Sequence, residues 1–409
     1  MSEARMTCTV CGASFELSQN YSCPRDNGEL AIRYDYDAIR AHGTFRTHAR
    51  EGQGTIERFL PLLPLSRPDQ AVSLGEGNTP LVRSRRMAER LGVRDLYFKL
   101  ESCNPTGSFK DRQVSVAISA AIGWGCTRFA TVSSGNAGVS LSAYCARAGM
   151  QSFVWVSEDT ALPKRQQIQV YGARMFLFPS PESHGVGAYR EFFNGLREFA
   201  LRNDMVPMVT ARRVNPYIVE GSKTISFEIV EQLHRVPDRV FSPVGGGGLL
   251  GGLWKGFWEL KAIGETDALP RMDGAQASGH MISLPDLAAG RELGAGESEP
   301  LDGSWAWSAI QESKGRYWST NAQELDAAQG LLAREEAIFA EPQGIRGAAG
   351  LLKAAAAGAL DPRETIVCII TGHGLKDMAA AERFLADERA YPPVRNVQSY
   401  EDCREAVRQ

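Results

Sequence analysis

From residue 95 onward, short apolar runs alternate with longer segments whose apolar residues recur at helical spacing, and this alternation admits few folds. "DLYFKL" (95–100), "RFATVSS" (128–134), "SFVWVS" (152–157), "RMFLFP" (174–179), "MVPMVTA" (205–211), "RVFSPV" (239–244), "RMDGAQA" (271–277) and "ETIVCIIT" (364–371) read as buried strands. Segments such as "AGVSLSAYCARAG" and "YREFFNGLREFALRN" between them read as helices. Strand–helix alternation predicts parallel sheets covered by helices through right-handed crossovers. The strands are too many for one compact sheet, so the expected fold class is α/β with two parallel-sheet domains. Residues 290–320, rich in Gly, Glu and Ser, read as a surface excursion, and 322–337 as an amphipathic packing helix.

Residues 1–40 are of another kind. Cys8 and Cys11 form a C-x-x-C, and Cys23 and Asp26 repeat the spacing in "CPRD". Two such knuckles can set four ligands tetrahedrally around zinc. Three cysteines and an aspartate leave two readings open, a bound zinc or a metal-free remnant of the same ribbon. No βαβ pattern surrounds the first pair, which disfavours a redox role. A formal net charge of −3 and no basic block argue against nucleic acid or an anionic membrane as partner. The start, "MSEARMTCTVC", has no apolar signal core, and no run nears about 20 apolar residues, so the expected location is the cytoplasm. Eight cysteines spread over 409 residues are expected to be free thiols.

Ligands of open α/β sheets bind where strands run into helix N-termini. Four polar or glycine-rich stretches stand at such places: "NPTGSFKDR" (104–112), "SSGNAG" (133–138), "PVGGGGLLGG" (243–252) and "TGHGLKD" (371–377). The first sets Lys110 at a helix start, where the dipole disfavours a cation. The N–H groups of Gly245, Gly246, Gly247, Gly248 and Leu249 can cradle a phosphate, whereas a plain turn does not need four glycines. Gly246, Gly248 and Gly251 also satisfy G-x-G-x-x-G, with Asp273 about 20 residues on, and alone would read as a dinucleotide site. That reading leaves the lysine loop and "SSGNAG" without a task. Pyridoxal phosphate uses all four stretches. It needs a lysine amine, a phosphate cradle, a partner for its phenolic oxygen and one for its pyridine nitrogen; Lys110, the glycines, Asn136 and Thr371 can supply them. Positive dipole ends around Lys110 would keep part of its amine unprotonated, as bonding to an aldehyde requires.

In chain order, "LGEGNTPL" (74–81), "NPTGSFKDR", "SSGNAG", "NPYIVEGSKTISFEI" (215–229), "PVGGGGLLGGLWKGF" and "TGHGLKD" resemble the landmarks of the threonine synthase family. That family lies within the fold-type II pyridoxal phosphate enzymes, with tryptophan synthase β and serine dehydratase. The resemblance implies a catalytic region over 41–409, its smaller α/β domain at about 105–215, after a degenerate zinc-ribbon-like segment at 1–40. It implies that Lys110 carries the cofactor as a Schiff base and shuttles protons, while Asn136 bonds the phenolic oxygen. Gly245 to Leu249 would hold the phosphate and Thr371 would face the pyridine nitrogen. Ser133, Ser134 and Gly135 resemble the loop that receives the substrate α-carboxylate, although serines there also serve as helix caps. The implied reaction is that of a lyase turning O-phosphohomoserine into threonine and phosphate, in a homodimer acting on a small amino-acid substrate.

Some substrate positions depart from the family pattern. Ala137 stands where a threonine commonly follows "SGN", and Ile218 stands inside "NPY…EG" where an arginine helps hold the substrate phosphate. Arg212 and Arg213 precede that motif, either as a relocated anion site or as solvent-facing residues. "EPQG" (341–344) replaces an "EPAS"-like run. These changes keep open a β-replacement or elimination enzyme of the same fold, such as one resembling cysteate synthase acting on O-phosphoserine and sulfite, or a specialised biosynthetic enzyme. Outside the fold-type II reading stand a nicotinamide-dependent dehydrogenase and a catalytically silent protein that binds partners through its ribbon. His373 is expected to shape its loop, and Glu76 to be structural or near the substrate mouth.

Overall fold

The computed structural model describes residues 4–43, 45, 54–133, 135–178, 195–279, 281–293, 297–385 and 391. Strands β1 (Arg5–Cys8), β2 (Ser14–Glu16) and β3 (Leu30–Arg33) form an antiparallel ribbon in the order β2-β1-β3. The body holds two further sheets. The larger is built from β4 (Leu81–Arg83), β5 (Asp95–Leu100), β10 (Arg239–Val244), β11 (Arg271–Ala277), β12 (Tyr317–Thr320) and β13 (Thr365–Ile370). Its order is β12-β11-β10-β13-β5-β4, parallel throughout except for the β4 edge. The smaller joins β6 (Arg128–Ser133), β7 (Gln151–Ser157), β8 (Arg174–Phe178) and β9 (Val206–Pro207) in the order β8-β7-β6-β9, all parallel. Every residue of β10 and of β13 is buried, as expected of central strands covered on both faces.

Three expectations need correction. The run 174–179 forms the edge strand β8 but is not a buried strand, since only Phe178 of Arg174–Phe178 is buried and Phe176 and Leu177 are exposed. The run 205–211 pairs only at Val206–Pro207, because Pro207 has no N–H for the ladder and the chain then bends away. Met208 still donates to the Ala130 carbonyl at 2.7 Å, and the bend leaves Thr210 free to meet Lys110. Residues 303–320 are not a surface excursion. Helix Gly303–Glu312 buries Ala306, Ala309 and Ile310, and β12 forms an edge of the larger sheet. The Gly- and Glu-rich run 290–299 ahead of the helix masks its apolar residues. The expected helix at 322–337 runs over Ala322–Glu336, started by a reciprocal capping box between Asn321 and Glu324.

The ribbon is tied to the body by charge as well as by packing. Tyr34 donates its hydroxyl to Glu220 Oε2 at 2.7 Å, and Lys223 reaches Glu220 at 2.6 Å and Glu259 at 2.9 Å. The Lys223 ammonium lies 4.1 Å from the centroid of the Tyr34 ring. Burial pushes the Glu220 carboxyl up, but Lys223 and Lys255 outweigh it and bring it to about 2. Tyr34→Phe leaves both lysines on Glu220 and removes one donor, so a loss of about 1–2 kcal/mol in urea unfolding is expected with the fold retained. Among the described residues no helix is long and apolar enough to cross a membrane.

Candidate active site

Two loops meet at Lys110. Ser108 pairs with Gly372 in an isolated antiparallel bridge, Phe109 donates its N–H to the Thr371 carbonyl at 3.1 Å, and His373 donates to the Gly107 carbonyl at 3.0 Å. The lysine loop is thus bonded to the loop that follows β13. Gly107 takes φ +84°, a left-handed backbone that favours glycine, and a Cβ there would press on the Lys376 side chain at 2.9 Å. Lys110 opens helix Lys110–Ile122, of which Asp111 to Ala121 are all buried. Its Nζ donates to Thr210 Oγ1 at 2.7 Å and Gln113 Oε1 at 3.2 Å, and lies 4.5 Å from the Phe109 ring centroid. Burial lowers the amine to about 7, against the opposing pull of Asp302. The depressed basicity expected of Lys110 is present, and its main cause is desolvation, which sequence reasoning did not name.

Asn136 opens helix Asn136–Ala148 and donates its side-chain amide to Glu341 Oε1, while its own Oδ1 is buried without a protein partner among the described residues. Glu341 also lies 2.7 Å from Lys164 Nζ. The Lys164 chain crosses Gly135, whose φ of +131° and a would-be Cβ only 2.3 Å from Lys164 Cδ leave no room for another residue. Ser133 Oγ accepts the N–H groups of Gly135 (3.0 Å) and Gly138 (3.2 Å), so its hydroxyl shapes the loop and caps the helix. Ala137 is buried in the first turn of that helix. Ser134 lies outside the described residues.

Gly247, at φ +99°, precedes helix Gly248–Ala262 without a side-chain cap, so the first-turn N–H groups stay free for an anion. Gly245 and Gly246 are exposed, whereas Gly247, Gly248 and Leu249 are buried. A Cβ on Gly247 would fall 2.4 Å from the Asp302 carbonyl. Thr371 spends only its backbone, its N–H on Gly344 O at 3.2 Å and its carbonyl on Phe109. An amine held by neutral acceptors only, an uncapped glycine turn, an unpartnered Asn136 Oδ1 and a Thr371 hydroxyl with no partner among the described residues together suit pyridoxal phosphate. A dinucleotide does not fit the same residues. Asp273 is buried and committed to Arg239 (2.6 Å), Trp318 Nε1 (2.7 Å) and the Arg316 N–H (3.1 Å).

The arginines proposed for an anion are engaged elsewhere. Arg212 pairs with Glu29 at 2.8 Å and stacks 4.2 Å from the Trp305 centroid; Arg213 is exposed and lies 3.4 Å from Glu299. Ile218 is wholly buried in the core. His373 accepts the Leu375 N–H at Nδ1, as expected of a loop-shaping residue. Glu76 is buried and accepts from Ser73, Leu74 and Tyr144, a structural post. Thr210, Gln113, Glu341, Lys164 and Asp302 went unnoticed in the sequence. Only Glu341 carried a signal, as the first residue of the departing "EPQG".

In the ribbon, one donor atom each from Cys8, Cys11, Cys23 and Asp26 lie within 4.8 Å of one another. The Cys11 and Cys23 sulfurs are 3.8 Å apart, and Cys8 Sγ is 3.4 Å from Asp26 Oδ1. Metal–sulfur bonds of about 2.3 Å in a tetrahedron give edges of about 3.8 Å, so the donors fit zinc. Backbone N–H groups of Val10 and Cys11 point at Cys8 Sγ, and that of Arg25 at Cys23 Sγ, each at 3.4 Å, as thiolates would favour. The seven described cysteines are all free.

Comparison with known proteins agrees with this geometry. Residues 72–372 match the pyridoxal-phosphate dependent enzyme family. The chain is 36% identical over 395 residues to the threonine synthase of Methanocaldococcus jannaschii, covering 92% of this chain and 94% of that one. It is 38% identical over 339 residues to the threonine synthase of Synechocystis sp., covering 80% and 84%. The fold is similar to diaminopropionate ammonia lyase from Escherichia coli, with TM-score 0.66 and 15% identity over 78% of this chain and 90% of that one. It is also similar to threonine deaminase isoform 2 from Solanum lycopersicum, with TM-score 0.62 and 20% identity over 81% and 92%. The chain belongs to the threonine synthase family of pyridoxal-phosphate-dependent enzymes. Its chemistry is that of a pyridoxal-phosphate-dependent lyase.

Proposed function

We propose that the protein converts O-phosphohomoserine and water into threonine and phosphate. The observation that carries this reading is the meeting of a half-buried, weakly basic Lys110 amine with the Thr371 loop, in a family whose curated relatives are threonine synthases. Bound pyridoxal phosphate supplies an electron sink that acidifies the substrate α-carbon. The protein's own groups do the rest. Gly245 to Leu249 would hold the cofactor phosphate by N–H groups and the helix dipole, Asn136 its phenolic oxygen, and Thr371 its pyridine nitrogen. A neutral hydroxyl there does not force the ring to protonate. The Lys110 amine, at about 7, can take and return a proton near neutral pH, and Thr210 and Gln113 hold its Nζ in place. The first-turn N–H groups of Asn136 and Ala137 would receive a substrate carboxylate, while Ser133 Oγ holds the N–H groups of Gly135 and Gly138 and so shapes the stretch that also carries Ser134. We take the partner to be a small amino acid and the assembly a homodimer, which sedimentation would check.

A second reading rests on Ile218, Arg212 and Arg213, since none of the three offers a free cation for a substrate phosphate in the family's manner. It is a β-replacement on O-phosphoserine with sulfite. The deciding experiment incubates the pure holoenzyme with O-phosphohomoserine, and separately with O-phosphoserine plus sulfite, and follows phosphate and the amino acid formed. Threonine from the first mixture supports the proposal; no turnover there, with product from the second, replaces it.

For the ribbon we propose a structural zinc on Cys8, Cys11, Cys23 and Asp26. Metal analysis is expected to find about one zinc per chain, and Cys23→Ser to lose it. Chelation is expected to expose the ribbon to protease before the body unfolds. A metal-free wild type would leave the remnant reading in its place.

A further inference from the structure

Asp302 has no role in the reaction above, yet it touches both halves of the cofactor site. Its N–H donates to the Gly246 carbonyl at 2.6 Å, and its own carbonyl presses on Gly247. Its carboxylate lies beside Gly248, where a Cβ would fall 2.8 Å from Oδ2. The same carboxylate accepts the backbone N–H of Arg212 at 2.9 Å and of Arg213 at 3.4 Å. Two residues before Arg212, Thr210 holds the Lys110 Nζ. One residue, only 4% exposed, therefore joins the glycine cradle, through its backbone and its packing on Gly248, to the loop that fixes the catalytic amine, through its carboxylate.

We propose that Asp302 is a positioning residue: its carboxylate locks the 210–213 loop onto the tetraglycine turn, setting the Lys110 amine relative to the cofactor phosphate and giving that amine its nearby negative charge. This rests on the pyridoxal phosphate reading of the site. The charged groups around it are few. Lys110 faces it from the lysine helix, Arg212 and Arg213 from their loop, and Glu29 from the ribbon through Arg212. The Arg212 guanidinium is already shared between Glu29 and Trp305, so the backbone N–H groups are what hold the carboxylate. Burial raises the Asp302 carboxyl to about 6, so it is ionised at neutral pH. Its charge then favours the protonated Lys110 and works against the effect of burial there.

The two functions separate by substitution. Asp302→Asn keeps an acceptor for the Arg212 N–H and removes the charge. Asp302→Ala removes both. Cofactor-free protein is titrated with pyridoxal phosphate across pH, following visible absorbance for uptake rate and tryptophan fluorescence for affinity. Wild-type uptake should fall as pH drops through about 7, where Lys110 becomes protonated. In Asp302→Asn the midpoint moves to lower pH with affinity little changed; a purely structural residue would not move it. Asp302→Ala weakens cofactor binding roughly tenfold or more by freeing the loop. An Asp302→Asn midpoint equal to wild type overturns the proposal, as does Asp302→Ala affinity within about twofold of it. If Asp302→Ala does not fold, the Asp302→Asn midpoint alone decides. Failure of the wild type itself to take up the aldehyde removes the cofactor reading instead.

Discussion

Lys110→Ala is expected to fold, to lose the visible absorbance of lysine-linked cofactor, and to turn over at least about 10³-fold more slowly. The Nζ is held by two neutral acceptors, Thr210 and Gln113, with no ion pair to leave behind. The buried Lys164 and Lys376 are committed, to Glu341 and to Gln167, so neither replaces it. The same substitution should raise the stability of the cofactor-free protein at neutral pH. The folded-state basicity of Lys110 is lowered by burial to about 7, below the unfolded value of about 10.4. A lowered lysine binds its proton less well when folded. Its penalty therefore grows as pH falls from about 10.4 to about 7 and is complete below. Alanine has no such penalty. Thermal unfolding of cofactor-free wild type and variant at pH 7 and pH 10 should show the larger gain at pH 7. An absorbing, active Lys110→Ala would overturn the assignment of the amine.

Much of this architecture is legible before any coordinates, and the limits of that reading have physical causes. Parallel strands buried on both faces announce themselves as continuous apolar runs, so β10 and β13 fall within a residue of the expected bounds. The 205–211 run reads as a strand because apolar content does not register that Pro207 ends the ladder. The loops of the site are visible because glycine, proline and asparagine mark turns. Their convergence is not visible, because the bonds that join Gly107 to His373 and Phe109 to Thr371 are backbone bonds between segments far apart in the chain. Buried polar partners are the hardest to see. Asp302 and Thr210 are ordinary residue types in ordinary surroundings, and only a fold brings them beside Lys110. Arg212 shows the converse, a residue type suited to an anion that the fold spends on Glu29.

The second large effect lies directly behind the amine, where "KDR" ends on Arg112. Its guanidinium is wholly buried and bonds Glu101 at 2.7 and 2.8 Å and Glu228 at 2.7 and 2.7 Å. Lys99, also wholly buried, adds a second cation to Glu228 at 2.7 Å. Two cations and two carboxylates balance, and Thr79, Thr224 and Asn104 satisfy remaining donors and acceptors. Such a group is neutral as a whole but costly to break, because removing one member strands a charge in low dielectric. Arg112→Met keeps most of the side-chain volume and leaves Glu101 and Glu228 short of a cation. A loss of about 3–5 kcal/mol is expected in denaturant unfolding of the cofactor-free protein. The pH dependence should change as well. Burial pushes the Glu228 carboxyl up, yet Arg112 and then Lys99 outweigh it and hold it well below the usual carboxylate range. A depressed carboxylate contributes stability above its unfolded value of about 4.3 and loses it as pH falls through the folded one. In Arg112→Met that contribution shrinks, so the variant's deficit should be large at pH 7 and narrow toward pH 3. A deficit under about 1 kcal/mol at pH 7, or one that does not narrow in acid, would mean that the lysine helix is held by its apolar contacts and not by this ionic cluster.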